Sequence, residues 1–135
     1  MITLVVDASI AAAWMLPDEQ SDLADAVIDN IGNTQAFVPA LFWFEIRNLL
    51  IANERRRRID PAKVDRLLSD LEDLGLAIDT TPSSEDVLGL ARRYGLTIYD
   101  AAYLELALRR SATLATLDGK LAIAARKAGI ALFGS

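Results

Sequence analysis

Four acidic residues of this chain sit where an unpaired charge is expensive. Asp7 ends the apolar run "ITLVV" at residues 2–6, and Asp118 directly follows "TLATL" at 113–117. Glu45 falls in a helical stretch with Leu41 and Leu49 one turn to either side and Phe42 beside it, which is the apolar face of that helix. Asp100 opens a stretch whose helical face continues through Tyr103 and Leu104. Taken singly, three of the four have local explanations. Asp7 could cap the helix after it. Asp100 stands three residues beyond Thr97, a capping-box spacing. Asp118-Gly119 is a turn dipeptide. Glu45 has none, because Arg47 is offset by two residues and points to another side of the helix.

Taken together, four acids at one rim would repel each other and raise their own pKa values unless a cation sat among them. Asp7 is therefore expected to end its strand in order to hold a metal. The rest of the composition narrows the chemistry. The chain has no histidine and no cysteine. That removes imidazole bases, Ser-His-Asp and Cys-His arrangements, thiolate zinc sites and disulfides. Carboxylate-only sites favour hard cations with oxygen ligands, Mg²⁺ with Mn²⁺ able to substitute. The formal charge of −5 argues at first against a nucleic-acid partner. Four of those negative charges are the candidate metal ligands, so the net charge decides nothing.

The elements that must position these acids alternate. "ITLVV" reads as a buried strand, and "DASIAAAWML" as a helix stopped at Pro17. Residues 21–31 read as a second helix, with Gly32 as its stop. "AFVP" (36–39) is a brief strand, followed by a long helix over 40–57 that runs into "ERRRR". Asp60-Pro61 is a cap and first-turn pair opening the next helix. "LAID" (76–79) reads as the third strand, and helices are expected over 84–94 and 98–110, with Gly95 ending the first of them. "TLATL" is a fourth strand, 119–129 a last helix and "IALF" (130–133) a final short strand. Trp14, Phe42, Trp43 and Phe44 read most simply as core, the alternative being that an aromatic exposed at the rim stacks on an unpaired base. Short strands alternating with helices indicate a single α/β domain over 1–135 with a mostly parallel, short-stranded central sheet. In such sheets ligands bind beyond the carboxyl ends of the strands, where Asp7 and Asp118 fall. No apolar run approaches the roughly 18 residues of a membrane span. The N-terminus enters "ITLVVD" without a basic head, so no signal peptide is expected and the location is read as cytoplasmic.

The segments "VVDAS", "FEIRNLL", "IYDAAYLELA" and "LATLDGKL" resemble, in this order and spacing, those of PIN-domain proteins, and more narrowly the VapC toxins of VapBC toxin–antitoxin pairs. The resemblance spans essentially the whole chain. It implies an α/β/α sandwich and a metal-dependent endoribonuclease, usually a homodimer, with a small VapB-like antitoxin that blocks the site. It places the acidic residues on Asp7, Glu45, Asp100 and Asp118, and supporting polar positions on Ser9, Asn48 and Thr116. Some relatives carry a further acid shortly after the fourth. Here Gly119-Lys120 occupies that place, so a second metal would be weakly held.

The residues allow this chemistry. A carboxylate-bound cation activates water and neutralises charge on a scissile phosphate. Ser9 and Thr116 either hydrogen-bond near that cation or serve only capping and loop closure. Arg55, Arg56, Arg57 and Arg58 are the candidate RNA contacts; the alternative is a solvated helix end favoured by the helix dipole. Two rival readings stay open. One is a receiver-like phosphoacceptor domain using Asp79 at the end of the third strand. The other is a degenerate PIN-like module that binds without cleaving.

Overall fold

The computed structural model describes residues 1–134. The chain runs β1 (Ile2–Val6), α1 (Ala8–Met15), α2 (Asp22–Asn30), β2 (Thr34–Pro39), α3 (Ala40–Arg55), α4 (Pro61–Asp73), β3 (Ala77–Asp79), α5 (Ser84–Tyr94), α6 (Ile98–Arg109), β4 (Thr113–Ala115) and α7 (Gly119–Lys127). Short 3₁₀ turns at Pro17–Glu19 and Ile31–Asn33 flank α2. The four strands form one sheet in the order β3-β2-β1-β4, and every pairing is parallel.

β1 lies inside this sheet, with Ile2–Val5 paired to Thr34–Phe37 of β2 and Leu4–Val6 paired to Thr113–Ala115 of β4. Successive strand residues face opposite sides, so the complete burial of Leu4, Val5 and Val6 means that helices cover both faces there. That layering is α/β/α. Each of these side chains contributes about 1.5–3 kcal/mol by leaving water. α6 packs against β1 and β2, and buries Ala101, Tyr103, Leu104 and Leu106.

Local signals set the helix ends. The Ser21 hydroxyl accepts from Ala24 N–H, Asp60 from Lys63 N–H, Ser83 from Asp86 N–H and Thr97 from Asp100 N–H. Gly95 closes α5 at φ +63°, a left-handed conformation that glycine adopts without strain.

Three expectations need correction. The final strand at 130–133 is only a single parallel bridge, Leu114 to Leu132, fastened by Leu114 N–H to the Ala131 carbonyl and Phe133 N–H to the Leu114 carbonyl. Gly32 does not end α2; that helix stops at Asn30, and Gly32 lies inside the following 3₁₀ turn. The buried stripe of α3 is Phe42, Ile46, Leu50 and Asn53, one position on from the stripe through Leu41, Glu45 and Leu49. Residues 41–44 are apolar all round and leave the phase open, so the later turns choose it. Trp43 and Phe44 therefore face solvent, at 42% and 68% exposure, while Phe42 alone of that group is core.

Candidate metal and nuclease site

The strand order creates a switch point. From β1 the chain moves outward through β2 and β3, then returns to place β4 on the other side of β1. A crevice opens at the carboxyl ends of strands diverging in this way. Asp7 follows β1 there, and Thr116 to Asp118 follow β4.

Asp7 extends the ladder by one bond, its N–H donating to the Ala115 carbonyl at 3.0 Å. It holds the N-cap position of α1, yet its side chain makes no capping hydrogen bond. Its Oδ2 instead accepts the Ser9 hydroxyl at 2.8 Å and the Thr116 hydroxyl at 2.7 Å. Those hydroxyl oxygens in turn accept Leu117 N–H at 2.9 Å and Asp118 N–H at 3.0 Å. Ser9 and Thr116 thus lock the loop after β4 onto one oxygen of Asp7. Capping does not explain this buried acid.

Glu45 stands half-buried beside the core stripe of α3. Its Oε1 accepts the hydroxyl of Tyr103, 58 residues away, at 2.6 Å. Tyr103 is almost fully buried on α6, and a buried phenol requires such a partner. Sequence reading placed Tyr103 only on the helical face continuing from Asp100. The available signal was a hydroxyl in an otherwise apolar helical face. Asp100 opens the same helix, and its N–H is capped by Thr97 at 3.1 Å. Asp118 does act as a cap, its Oδ1 accepting Lys120 N–H at 2.9 Å and Leu121 N–H at 3.2 Å.

Asp7, Glu45 and Asp100 each sense neighbouring acids. Burial pushes the Asp7 carboxyl above its ordinary range; the Thr116 and Ser9 bonds oppose that, and the charge of Asp118 adds to it. Burial also raises Glu45, opposed by the Tyr103 bond and reinforced by Asp7 and Asp100. Asp100 is raised by burial, then by Asp118 and Asp7, against the pull of Lys120. Oδ1 of Asp7, Oε2 of Glu45 and Oδ2 of Asp118 take no side-chain donor among the described residues. In donor type and neighbourhood this set fits a hard divalent cation. Among the described residues no three acids are already drawn together as a ready-made cage. Coordination would require the side chains to close in.

Of the remaining candidates, Asn48 is one turn beyond Glu45 on α3. It is exposed and makes no side-chain hydrogen bond among the described residues. Arg55 to Arg58 are exposed at the far end of α3, about 15 Å of helix rise from Glu45. Arg58 shares a crevice with Asp18 and Glu19. Asp79 is closed to phosphoryl transfer. Arg109 binds both of its oxygens at 2.8 and 2.9 Å, Arg110 binds Oδ2 at 2.8 and 3.0 Å, and Thr81 N–H binds Oδ1 at 3.0 Å. The receiver-like reading loses its acceptor.

Comparison with known proteins agrees with this fold. The PIN-domain profile matches residues 4–127. Ribonuclease VapC3 of Pyrobaculum aerophilum is 33% identical over 122 residues, spanning 88% of this chain and 92% of that relative. The crystal structure of PAE2754 from the same organism superposes with a TM-score of 0.72 at 27% identity, covering 91% of this chain and 79% of the other. FitAcB from Neisseria gonorrhoeae shares the fold at TM-score 0.68 and 20% identity, over 98% of this chain and 97% of the other.

Proposed function

The chain belongs to the PIN-domain family, in its VapC branch, and from that premise we propose that it is a Mg²⁺- or Mn²⁺-dependent endoribonuclease, the toxin of a toxin–antitoxin pair. The observation that carries the reading is Asp7: a buried strand-end carboxylate in the N-cap position that makes no capping bond and lies within electrostatic reach of Asp118, Glu45 and Asp100. The name of the VapC3 relative, a ribonuclease, supports the substrate class.

In this reading Asp7, Asp100, Glu45 and Asp118 hold the ion. Bound there, a divalent cation supplies the Lewis acidity that activates water and offsets charge on the scissile phosphate. Ser9 and Thr116 fix the Asp7 carboxylate through Oδ2, so that Oδ1 would remain available to an ion. Tyr103 does the same for Glu45, leaving Oε2. Asp118 caps α7 through Oδ1, so that Oδ2 would remain available to the ion.

The same reading makes residues 1–135 one PIN-like unit, a homodimer that acts in the cytoplasm and is held silent by a VapB-like antitoxin. Among the described residues no helix is long and apolar enough to cross a membrane. The test is cleavage of labelled RNA by the purified chain with Mg²⁺, with Mn²⁺ and with chelator. Activity should require the ion and vanish in Asp7→Asn. Metal-independent cleavage, or near-wild-type turnover of Asp7→Asn at saturating Mg²⁺, sinks the assignment.

A further inference from the structure

The basic side chains beside the carboxylates are not those of the arginine run. α5 and α7 enclose a groove of about 290 Å³ lined by Arg93, Tyr94, Lys120, Ile123, Ala124 and Lys127. One end of it meets the acids: the Lys120 N–H donates to Asp118, and the charge of Lys120 acts on Asp100. From there Lys120, Ile123 and Lys127 follow one face of α7 over about 10 Å of rise, the reach of roughly two to three phosphates along a strand. Across the groove, the Arg93 guanidinium lies 5.5 Å from the centre of the Tyr94 ring, which steadies it against the wall.

Helix dipoles explain cations at Arg93 and Lys127, which occupy last turns. They do not explain Lys120, which occupies the first turn of α7, where a cation is disfavoured. Nor do ion pairs absorb these charges: among the described residues every salt bridge found involves Arg109 or Arg110. In a chain of net charge −5, three unpaired cations converging on one groove beside an acidic site form a local track for a polyanion.

We infer that the α5–α7 groove, through Arg93, Lys120 and Lys127, carries the phosphate backbone of a single RNA strand to the four carboxylates, in place of the Arg55–Arg58 run. The inference rests on the nuclease reading for its substrate class. Cations at phosphate spacing hold the strand without reading its bases.

The test compares charge reversal at the two basic sites. A fluorescent single-stranded oligoribonucleotide is titrated, over a series of salt concentrations, against Asp7→Asn protein carrying Arg93→Glu with Lys127→Glu, or Arg55→Glu with Arg56→Glu. Kinetics are followed in parallel in the otherwise wild-type chain, and the Gln versions of each pair control for folding. The groove pair should weaken binding by roughly tenfold to hundredfold at low salt, and flatten the salt slope by about 0.7 per lost phosphate contact. It should raise KM and leave kcat near wild type, while the α3 pair changes little. Equal binding by the groove variant, a larger loss from the α3 pair, or no RNA binding by the parent protein overturns the inference. Groove-dependent binding by a wild-type chain that cleaves nothing with Mn²⁺ removes the nuclease reading and leaves the groove standing.

Discussion

The Tyr103 hydroxyl donates to Oε1 of Glu45 at 2.6 Å, joining α6 to α3 beside the acidic cluster. The bond partly offsets the upward pressure of burial on Glu45, and the Tyr103 phenol is itself pushed well above its ordinary value, so it remains a donor at any working pH. Partners that orient metal ligands typically matter tenfold to hundredfold in affinity or activity. Tyr103→Phe removes one atom and keeps the ring. Its unfolding free energy should fall only slightly, by about 1 kcal/mol for one lost hydrogen bond. Mn²⁺ affinity, read by electron paramagnetic resonance, should fall roughly tenfold or more. Unchanged Mn²⁺ binding in a folded Tyr103→Phe protein would show that the bond only joins two helices.

Asp7→Asn should abolish RNA cleavage and, without metal, melt above wild type. The substitution removes a buried charge and its repulsion with Asp118, Glu45 and Asp100. Mn²⁺ should raise the wild-type melting temperature more than the variant's, because only a bound ligand stabilises the folded state. Adding Asp100→Asn should cost little further activity, since such residues act as a unit. Equal thermal responses to Mn²⁺ would remove Asp7 from the ligand set.

Asp79 governs stability rather than chemistry. Arg109 and Arg110 hold its carboxyl well below the usual carboxylate range. A depressed folded-state pKa contributes stability that is fully present above the unfolded value of 3.8 and is lost as pH falls below it. Asp79→Asn should therefore destabilise the neutral protein and flatten the acid limb of its stability profile below about pH 4. The expected loss is about 2–3 kcal/mol, less than for a fully buried pair because the arginines are about a third exposed. Denaturant melts at pH 7 and pH 3 measure both effects. A variant as acid-sensitive as wild type would contradict this account.

The antitoxin is expected to insert an arginine among Asp7, Glu45, Asp100 and Asp118. A guanidinium fork matches carboxylates better than an ammonium does, and it competes directly with the cation. Raising Mn²⁺ should weaken antitoxin binding, and an antitoxin with that arginine replaced by alanine should lose the metal dependence. Affinity indifferent to both would place inhibition elsewhere, as steric cover of the RNA path.

Much of this was written locally. Alternation of short apolar runs with amphipathic segments defined β1 to β4 and the helices within a residue or two, because side-chain period and capping chemistry are properties of neighbouring residues. Ser21, Asp60, Ser83, Thr97 and Gly95 mark helix ends by bonds that close within a turn. The missing histidine and cysteine left carboxylates as the only ligand class, and the position of Asp7 after a buried strand raised the question of what it binds.

What periodicity could not supply was everything that spans the chain. The same strands in another order would satisfy the same pattern, yet only β3-β2-β1-β4 sets the ends of β1 and β4 side by side and brings Thr116 to Asp7. The phase of α3 was undecidable over the continuous apolar stretch 41–44, so Trp43 and Phe44 were misplaced inside. Tyr103 and Glu45 find each other only when α6 meets α3, and Lys120 shares a groove with Arg93 only when α7 comes beside the end of α5. Strand pairing and helix docking are set by burial over the whole chain, and a residue's neighbours in sequence carry no record of which distant surface will cover it.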